Sequence, residues 1–235
     1  MTETDGNIHT RHEGHLRFGQ QEQHREGVAH ERESEIPQQA ARIVLVGPQG
    51  SGKGTQASRI AEQYGIAAIS TGDVFRQNVA DDTELGRQVK AILDAGDLVS
   101  DALTFEVVRD RLGQPDAAHG FLLDGFQRNV DQLGLLDAFL AERNEPLTAV
   151  IELGVPRAVS LDRLTRRAFE QGRSDDTEEV ISNRLAIYER DTAPVLAVYR
   201  DHGLVDSVDG VGSLDEVTER IAGALLSRGI LPTAS

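Results

Sequence analysis

Five short apolar runs punctuate the chain from Arg42 onward: RIVLV (42–46), IAAIS (66–70), FLLD (121–124), TAVIEL (148–153) and GLVDSV (203–208). They are continuous rather than alternating and rich in β-branched residues, the pattern of strands covered on both faces. The segments between them repeat their apolar positions at helical spacing. Strands joined by helical connections pair in parallel, so the pattern predicts an α/β protein with a doubly wound parallel five-stranded sheet. Between the second and third runs, roughly residues 71 to 113 are helical in period and much longer than one crossover needs. This stretch is expected to be a mobile insertion. A second excursion, RRAFEQGRSDD (166–176), is short and charged with helical segments on both sides, and is expected to form a flap.

Residues 1 to about 40 lack periodic apolar positions, so little burial offsets the entropy of ordering them, and disorder is expected there. Five of the seven histidines fall in this tail, which reads as a solvated polar extension. The remainder is read as one domain over residues 41–228, followed by a short tail at 229–235.

Composition narrows the possible partners. With 39 acidic against 24 basic side chains the formal charge is -15, which argues against nucleic acid as the main partner. Any anionic ligand must be held by a local cluster of cations. The absence of cysteine excludes disulfides, thiolate metal sites and thiol nucleophiles. No run approaches the roughly 18 apolar residues of a membrane span, and the N-terminus lacks the basic-then-apolar order of a secretion signal. A cytoplasmic location without membrane contact is expected.

The strongest chemical signal is GPQGSGKGTQ (47–56), where an apolar strand runs into a glycine-rich turn that opens a helix. In that context backbone N–H groups converge on one concavity at a positive helix end. Lys53, one of only two lysines in the chain, adds a full charge. A tight strand–helix turn would explain the glycines but not the lysine. The site suits a triphosphate. Gly54 follows the lysine and the hydroxyl comes one place later, at Thr55, which weakens the usual argument for a magnesium ligand at that position.

Four further segments, in order, extend the pattern: STGDVFR (70–76), GDLVSD (96–101), DGFQRNVDQ (124–132) and RLTRRAFEQGRSDDTEEVISNRLAIY (163–188). Together with the phosphate loop they resemble the adenylate kinases of the nucleoside monophosphate kinase family, in its short-lid branch, over nearly all of residues 41–228. The resemblance implies a P-loop NTPase-type fold with a helical AMP-binding insertion (70–99) and a short lid (166–176). It implies reversible phosphoryl transfer from Mg-ATP to AMP, giving two ADP. On that reading Gly50, Ser51, Gly52, Lys53, Gly54 and Thr55 wrap the donor phosphates, and Gly212 meets the ATP adenine through its backbone. Arg163 and Arg167 close over ATP from the lid side. Thr71, Arg76, Asp97, Leu98, Val99, Gly125, Phe126, Gln127, Arg128 and Gln132 form the AMP site, with Gln132 reading the adenine edge and Arg76 and Arg128 holding its phosphate. Arg173 and Arg184 reach the phosphates at the transfer point. Lys53, Arg128, Arg167, Arg173 and Arg184 are the implied catalytic cations, and Asp124 would hold the water shell of Mg2+. A monomer is expected.

The physics of the reaction fits such a set. Two polyanions must be brought together against their repulsion, and charge spreads over equatorial oxygens in the transition state, so fixed cations are needed. Arginine suits the task because its fork binds phosphate bidentately and stays charged.

Two positions depart from the family pattern. Gln127 stands where the family carries a proline, commonly after a cis bond, and Ser100 replaces a second proline. The first change is expected either to strain the loop or to re-aim Arg128. A pyrimidine (UMP or CMP) monophosphate kinase is the nearest alternative, although Thr71 and Gln132 favour adenine. A nucleotide-sensing paralogue that binds ATP without transfer is an alternative of another class.

Overall fold

The computed structural model describes residues 39–171 and 177–233. The expectations for residues 1–38 and for 172–176 of the flap, Arg173 included, lie outside the described residues. Five parallel strands, β1 (Arg42–Val46), β2 (Ala67–Ser70), β3 (Phe121–Asp124), β4 (Ala149–Gly154) and β5 (Val205–Asp209), form one sheet in the order β2-β3-β1-β4-β5. This is the α/β architecture that the apolar runs predict.

Strand ends differ from the apolar runs for local reasons. Ile66 belongs to the end of helix α1 (Lys53–Tyr64): its N–H donates to the Ala61 carbonyl at 3.0 Å, so β2 starts one residue later. Gly203 and Leu204 close helix α8 (Ala193–Asp201) by donating to Arg200 and Tyr199, which delays β5 to Val205.

Successive strand side chains point to opposite faces, and the two faces are built separately. Ile43, Leu45, Leu122, Ile151 and Leu153 pack under Ile60 and Tyr64 of α1 and under Ile221 and Leu225 of helix α9 (Leu214–Ser227). Val44, Val46, Ile69, Leu123 and Val150 pack against Leu136 and Leu140 of helix α5 (Val130–Glu142) and Leu196 and Tyr199 of α8. Most of these side chains are almost fully buried, each contributing about 1.5–3 kcal/mol.

Between β2 and β3 the chain forms helices α2 (Thr71–Ala80), α3 (Glu84–Ala95) and α4 (Asp101–Leu112). Ser70 and Thr83 cap the first two through their hydroxyls, which accept from Asp73 and Gly86 N–H groups. Phe75, Val89 and Val99 form a small core of their own there. Helix α6 (Arg157–Gln171) and helix α7 (Glu178–Ile187) likewise share a small cluster of Leu164, Ile181 and Leu185. A π-helical turn, Tyr188–Thr192, joins α7 to α8. No helix among the described residues is long and apolar enough to cross a membrane.

The register places the functional loops. Leu45 pairs with Asp124, and Ser70 pairs with Asp124 on its other side. The carboxyl ends of β1, β2 and β3 therefore release the segments that begin at Gly47, Thr71 and Gly125 along one edge of the sheet, where parallel α/β proteins bind ligands.

Candidate active site

Above that edge lies a cleft of about 810 Å3. The donor loop Gly47–Thr55 forms one wall, with Gly210 and Gly212 beyond it. Thr71, Arg76, Asp97, Leu98, Val99, Gly125, Phe126, Arg128 and Gln132 line the other, while Arg163, Arg167 and Arg184 enter from α6 and α7. Every implied site residue described in the structure lines this cleft except Gln127.

The donor loop holds its shape through backbone packing. Gly50 adopts φ +78°, and a Cβ there would lie 2.6 Å from the Ser160 carbonyl oxygen of α6. Gly52, at φ +96°, enters α1 without a side-chain cap, which leaves the N–H groups of the first turn for a ligand. Lys53 folds back over the loop, donating to the Gly47 carbonyl at 2.7 Å and the Pro48 carbonyl at 2.9 Å. Burial lowers its pKa from 10.5 to about 8; Asp124 opposes this, while Arg128 and Arg167 add to it. Arg163 serves the same loop from outside, donating to the Ser51 carbonyl at 3.2 Å and the Gly210 carbonyl at 3.0 Å.

On the acceptor side the Gly125 carbonyl takes two hydrogen bonds, from Thr71 Oγ1 at 2.8 Å and Arg128 Nε at 2.7 Å. A Cβ on Gly125, whose φ is +79°, would sit 3.0 Å from Arg128 Nη2, so glycine makes room for the folded arginine. Burial pulls the Arg128 pKa below its ordinary value; Asp124 offsets this, and Arg184 and Arg76 push further down. Asp124 lies between the two loops. Burial raises its carboxyl above the usual range against the pull of Lys53 and Arg128. The result is a half-buried concentration of positive charge in an acidic protein, gathered near the buried Asp124 carboxylate.

Gln132 is almost fully buried, and its amide is fixed at both ends. Its Oε1 accepts from the Arg128 backbone N–H at 2.9 Å, and its Nε2 donates to Asp101 Oδ1 at 2.7 Å. Asn129, which caps α5 by accepting from the Gln132 N–H at 2.8 Å, also donates to Asp101, at 2.9 Å. Asp101 is a positioning residue the sequence reading passed over, although it ends the quoted GDLVSD segment. The spacing of Asn129 and Gln132 as cap and third helical residue was the available signal.

The family model for adenylate kinase matches residues 45–204. A protein of Leifsonia xyli subsp. xyli named adenylate kinase is 55% identical over 190 residues, covering 81% of this chain and 96% of its own. The chain belongs to the adenylate kinase family. Similar adenylate kinases occur in Clavibacter michiganensis subsp. michiganensis, 52% identical over 82% of this chain and 96% of the relative, and in Bifidobacterium longum, 48% identical over 77% and 97%.

Against the adenylate kinase pattern, Gln127 is the clear structural departure. It is fully buried at φ +62°, a value the proline ring cannot take. A non-glycine residue there costs about 1–2 kcal/mol. Its amide points away from the cleft: Nε2 donates to the Tyr199 hydroxyl, and Oε1 has no hydrogen-bond partner among the described residues. Of the implied AMP-site residues described in the structure, Gln127 is the one whose side chain turns away from the cleft. Ser100, at the other missing proline, precedes α4 with an extended backbone and no side-chain cap bond.

Proposed function

We propose that this chain transfers a phosphoryl group reversibly from Mg-ATP to AMP, yielding two ADP. The observation that carries the reading is the meeting of the Gly47–Thr55 and Gly125–Arg128 loops on adjacent strand ends, with the half-buried Lys53 and Arg128 both close enough to the buried Asp124 to feel its charge. Cations crowded together and partly desolvated are costly unless a polyanion enters, and two polyanions entering from opposite walls would be neutralised together.

In the forward direction an AMP phosphate oxygen forms a bond to the γ-phosphorus as the bond from that phosphorus to the β,γ-bridging oxygen breaks. The electron pair leaves with ADP. Lys53 and the N–H groups of Gly50–Thr55 would hold the donor phosphates, and Arg76 and Arg128 the acceptor phosphate. Arg167 and Arg184 would neutralise the charge that spreads over the transferred group, with Arg173 joining them from the flap. Arg163 and Gly212 would border the ATP nucleoside.

Asp124 is suited to Mg2+. Its carboxylate is an oxygen donor beside the donor loop, accepts no hydrogen bond among the described residues, and is disfavoured as an anion without a cation nearby. No group of three or more acidic or histidine side chains among the described residues forms a metal cage, and magnesium binds typically through one or two carboxylates, waters and substrate phosphates. When held beside Asp124, the ion would withdraw charge from the donor phosphates.

Base choice follows from the fixed amide. With Oε1 toward the Arg128 N–H and Nε2 toward Asp101, Gln132 retains one N–H and one lone pair. That pair matches a base edge with an exocyclic amine beside a ring acceptor, which adenine and cytosine present and uracil does not, so the edge disfavours UMP and leaves AMP against CMP to the assay. A cytoplasmic monomer is the setting this reading expects. Mg-ATP assayed with AMP, CMP and UMP separately tests it: ADP formation fastest with AMP is expected, and faster turnover of a pyrimidine would overturn the assignment.

A further inference from the structure

Gln127 and Tyr199 are buried, have no part in this chemistry and touch each other. Both are fully buried, and they lie in segments far apart in sequence, the loop after β3 and helix α8. The Gln127 amide donates to the Tyr199 hydroxyl, which in turn donates weakly to Asp137 Oδ1 of α5 at 3.5 Å. A second tie runs in parallel: Thr192, at the start of α8, donates through Oγ1 to the Arg128 carbonyl at 2.8 Å. The Arg128 peptide is thus held from α8 on both sides, and its guanidinium turns the other way, toward the Gly125 carbonyl and the cleft.

We infer that Gln127 and Tyr199 form a buried couple that positions Arg128 for the acceptor phosphate. Left-handed backbone at a glutamine is unfavourable by itself, so something must over-determine it. The Tyr199 hydroxyl does so, because releasing Gln127 would leave its buried amide without a partner and the hydroxyl with only its long bond to Asp137. The consequence is local: with Gln127 free to leave φ +62°, the next residue's side chain swings away from the cleft. Gln127 and Tyr199 are positioning residues that never touch substrate. The same tie links the acceptor loop to the α7–α8 arm that carries Arg184, so the two cations share one support.

This inference rests on Arg128 holding the acceptor phosphate, and the test separates the two. Tyr199→Phe removes a single oxygen, and Gln127→Leu removes the amide at similar volume. Each should raise KM for AMP by about 3- to 10-fold and lower kcat by a like factor. KM for ATP should stay within about twofold. The double variant should be no worse than the more impaired single one, as expected of two halves of one contact. Ile221→Val, on the opposite face of the sheet, serves as the stability comparison: it should lower Tm without separating the two KM values. An unchanged KM for AMP in Tyr199→Phe, parallel rises for both nucleotides, or full additivity would overturn the couple. Failure of the wild-type protein to turn over ATP with AMP would instead overturn the functional reading beneath it.

Discussion

The donor and acceptor loops follow neighbouring strands, β1 and β3, and both put a cation over the same sheet edge, yet they are held by different means. The donor loop is shaped mainly from within, with α6 closing over it. Glycines at positive φ let the backbone curl, and Lys53 fastens it by donating to two carbonyls five and six residues back. The acceptor loop is shaped from outside. Gln127 occupies a conformation that suits glycine, and helix α8, more than sixty residues away, holds it there through Tyr199 and Thr192. A locally encoded loop keeps its geometry wherever its strand and helix form. One held by tertiary contacts responds to whatever moves its support.

The contrast can be broken most severely at the cations. Lys53→Ala should lower kcat by roughly 10³-fold or more in a coupled ADP assay, because it removes charge at the transferring group. Arg128→Ala should cost roughly 10²–10³-fold in kcat/KM. Part of that loss should appear as a raised KM for AMP, with KM for ATP little changed. A lysine variant whose defect followed AMP, or an arginine variant whose defect followed ATP, would reverse the assignment of the two walls.

At the next level, Gly50→Ala tests the donor loop at the glycine where its local φ and its packing on α6 meet. Its Cβ would strike the Ser160 carbonyl and its φ would be strained, so a loss of roughly 2–3 kcal/mol is expected. That corresponds to a Tm lower by about 5–10 °C in thermal unfolding. An unshifted Tm would mean the loop is less tightly packed on α6 than its geometry implies. Asp101→Asn should act more gently, on choice rather than stability. By releasing the orientation of Gln132 it should narrow the preference for AMP over IMP by about tenfold in kcat/KM, and a preserved ratio would free Asp101 from that role.

The smallest effect concerns protons. Lys53 has a pKa of about 8 in the folded protein, and phosphate nearby would raise it. ATP binding at pH 8 should therefore take up about half a proton, seen by calorimetry in buffers of different ionisation enthalpy and absent in Lys53→Ala. The sign for stability follows from the same shift. Between pH 8 and 10.5 the unfolded chain binds more protons at this lysine than the folded one, so this group makes the protein more stable as pH rises through that window.

Much of this was legible beforehand because it rests on short-range rules. Continuous apolar runs of four to six residues predict buried parallel strands, and four of them overlap β1, β3, β4 and β5 while IAAIS covers β2. A glycine-rich turn with a single lysine announces a phosphate loop, since few other needs explain that lysine. The departure at Gln127 was also visible, but not its outcome. Nothing in DGFQRN says that the glutamine turns inward to a tyrosine seventy-two residues on. Asp101 was missed for the same reason: its meaning lies in Asn129 and Gln132, brought to it by the packing of α4 and α5.

The amino-acid order alone settled the sheet, the donor loop and the need for a cationic pocket, since backbone preference and hydrophobic period act over a few neighbours. Folding in three dimensions decided where Arg128 aims, which way the Gln132 amide faces and what Gln127 does. Those outcomes depend on hydrogen-bond partners that share no local sequence and meet only when the sheet edge and its helices assemble.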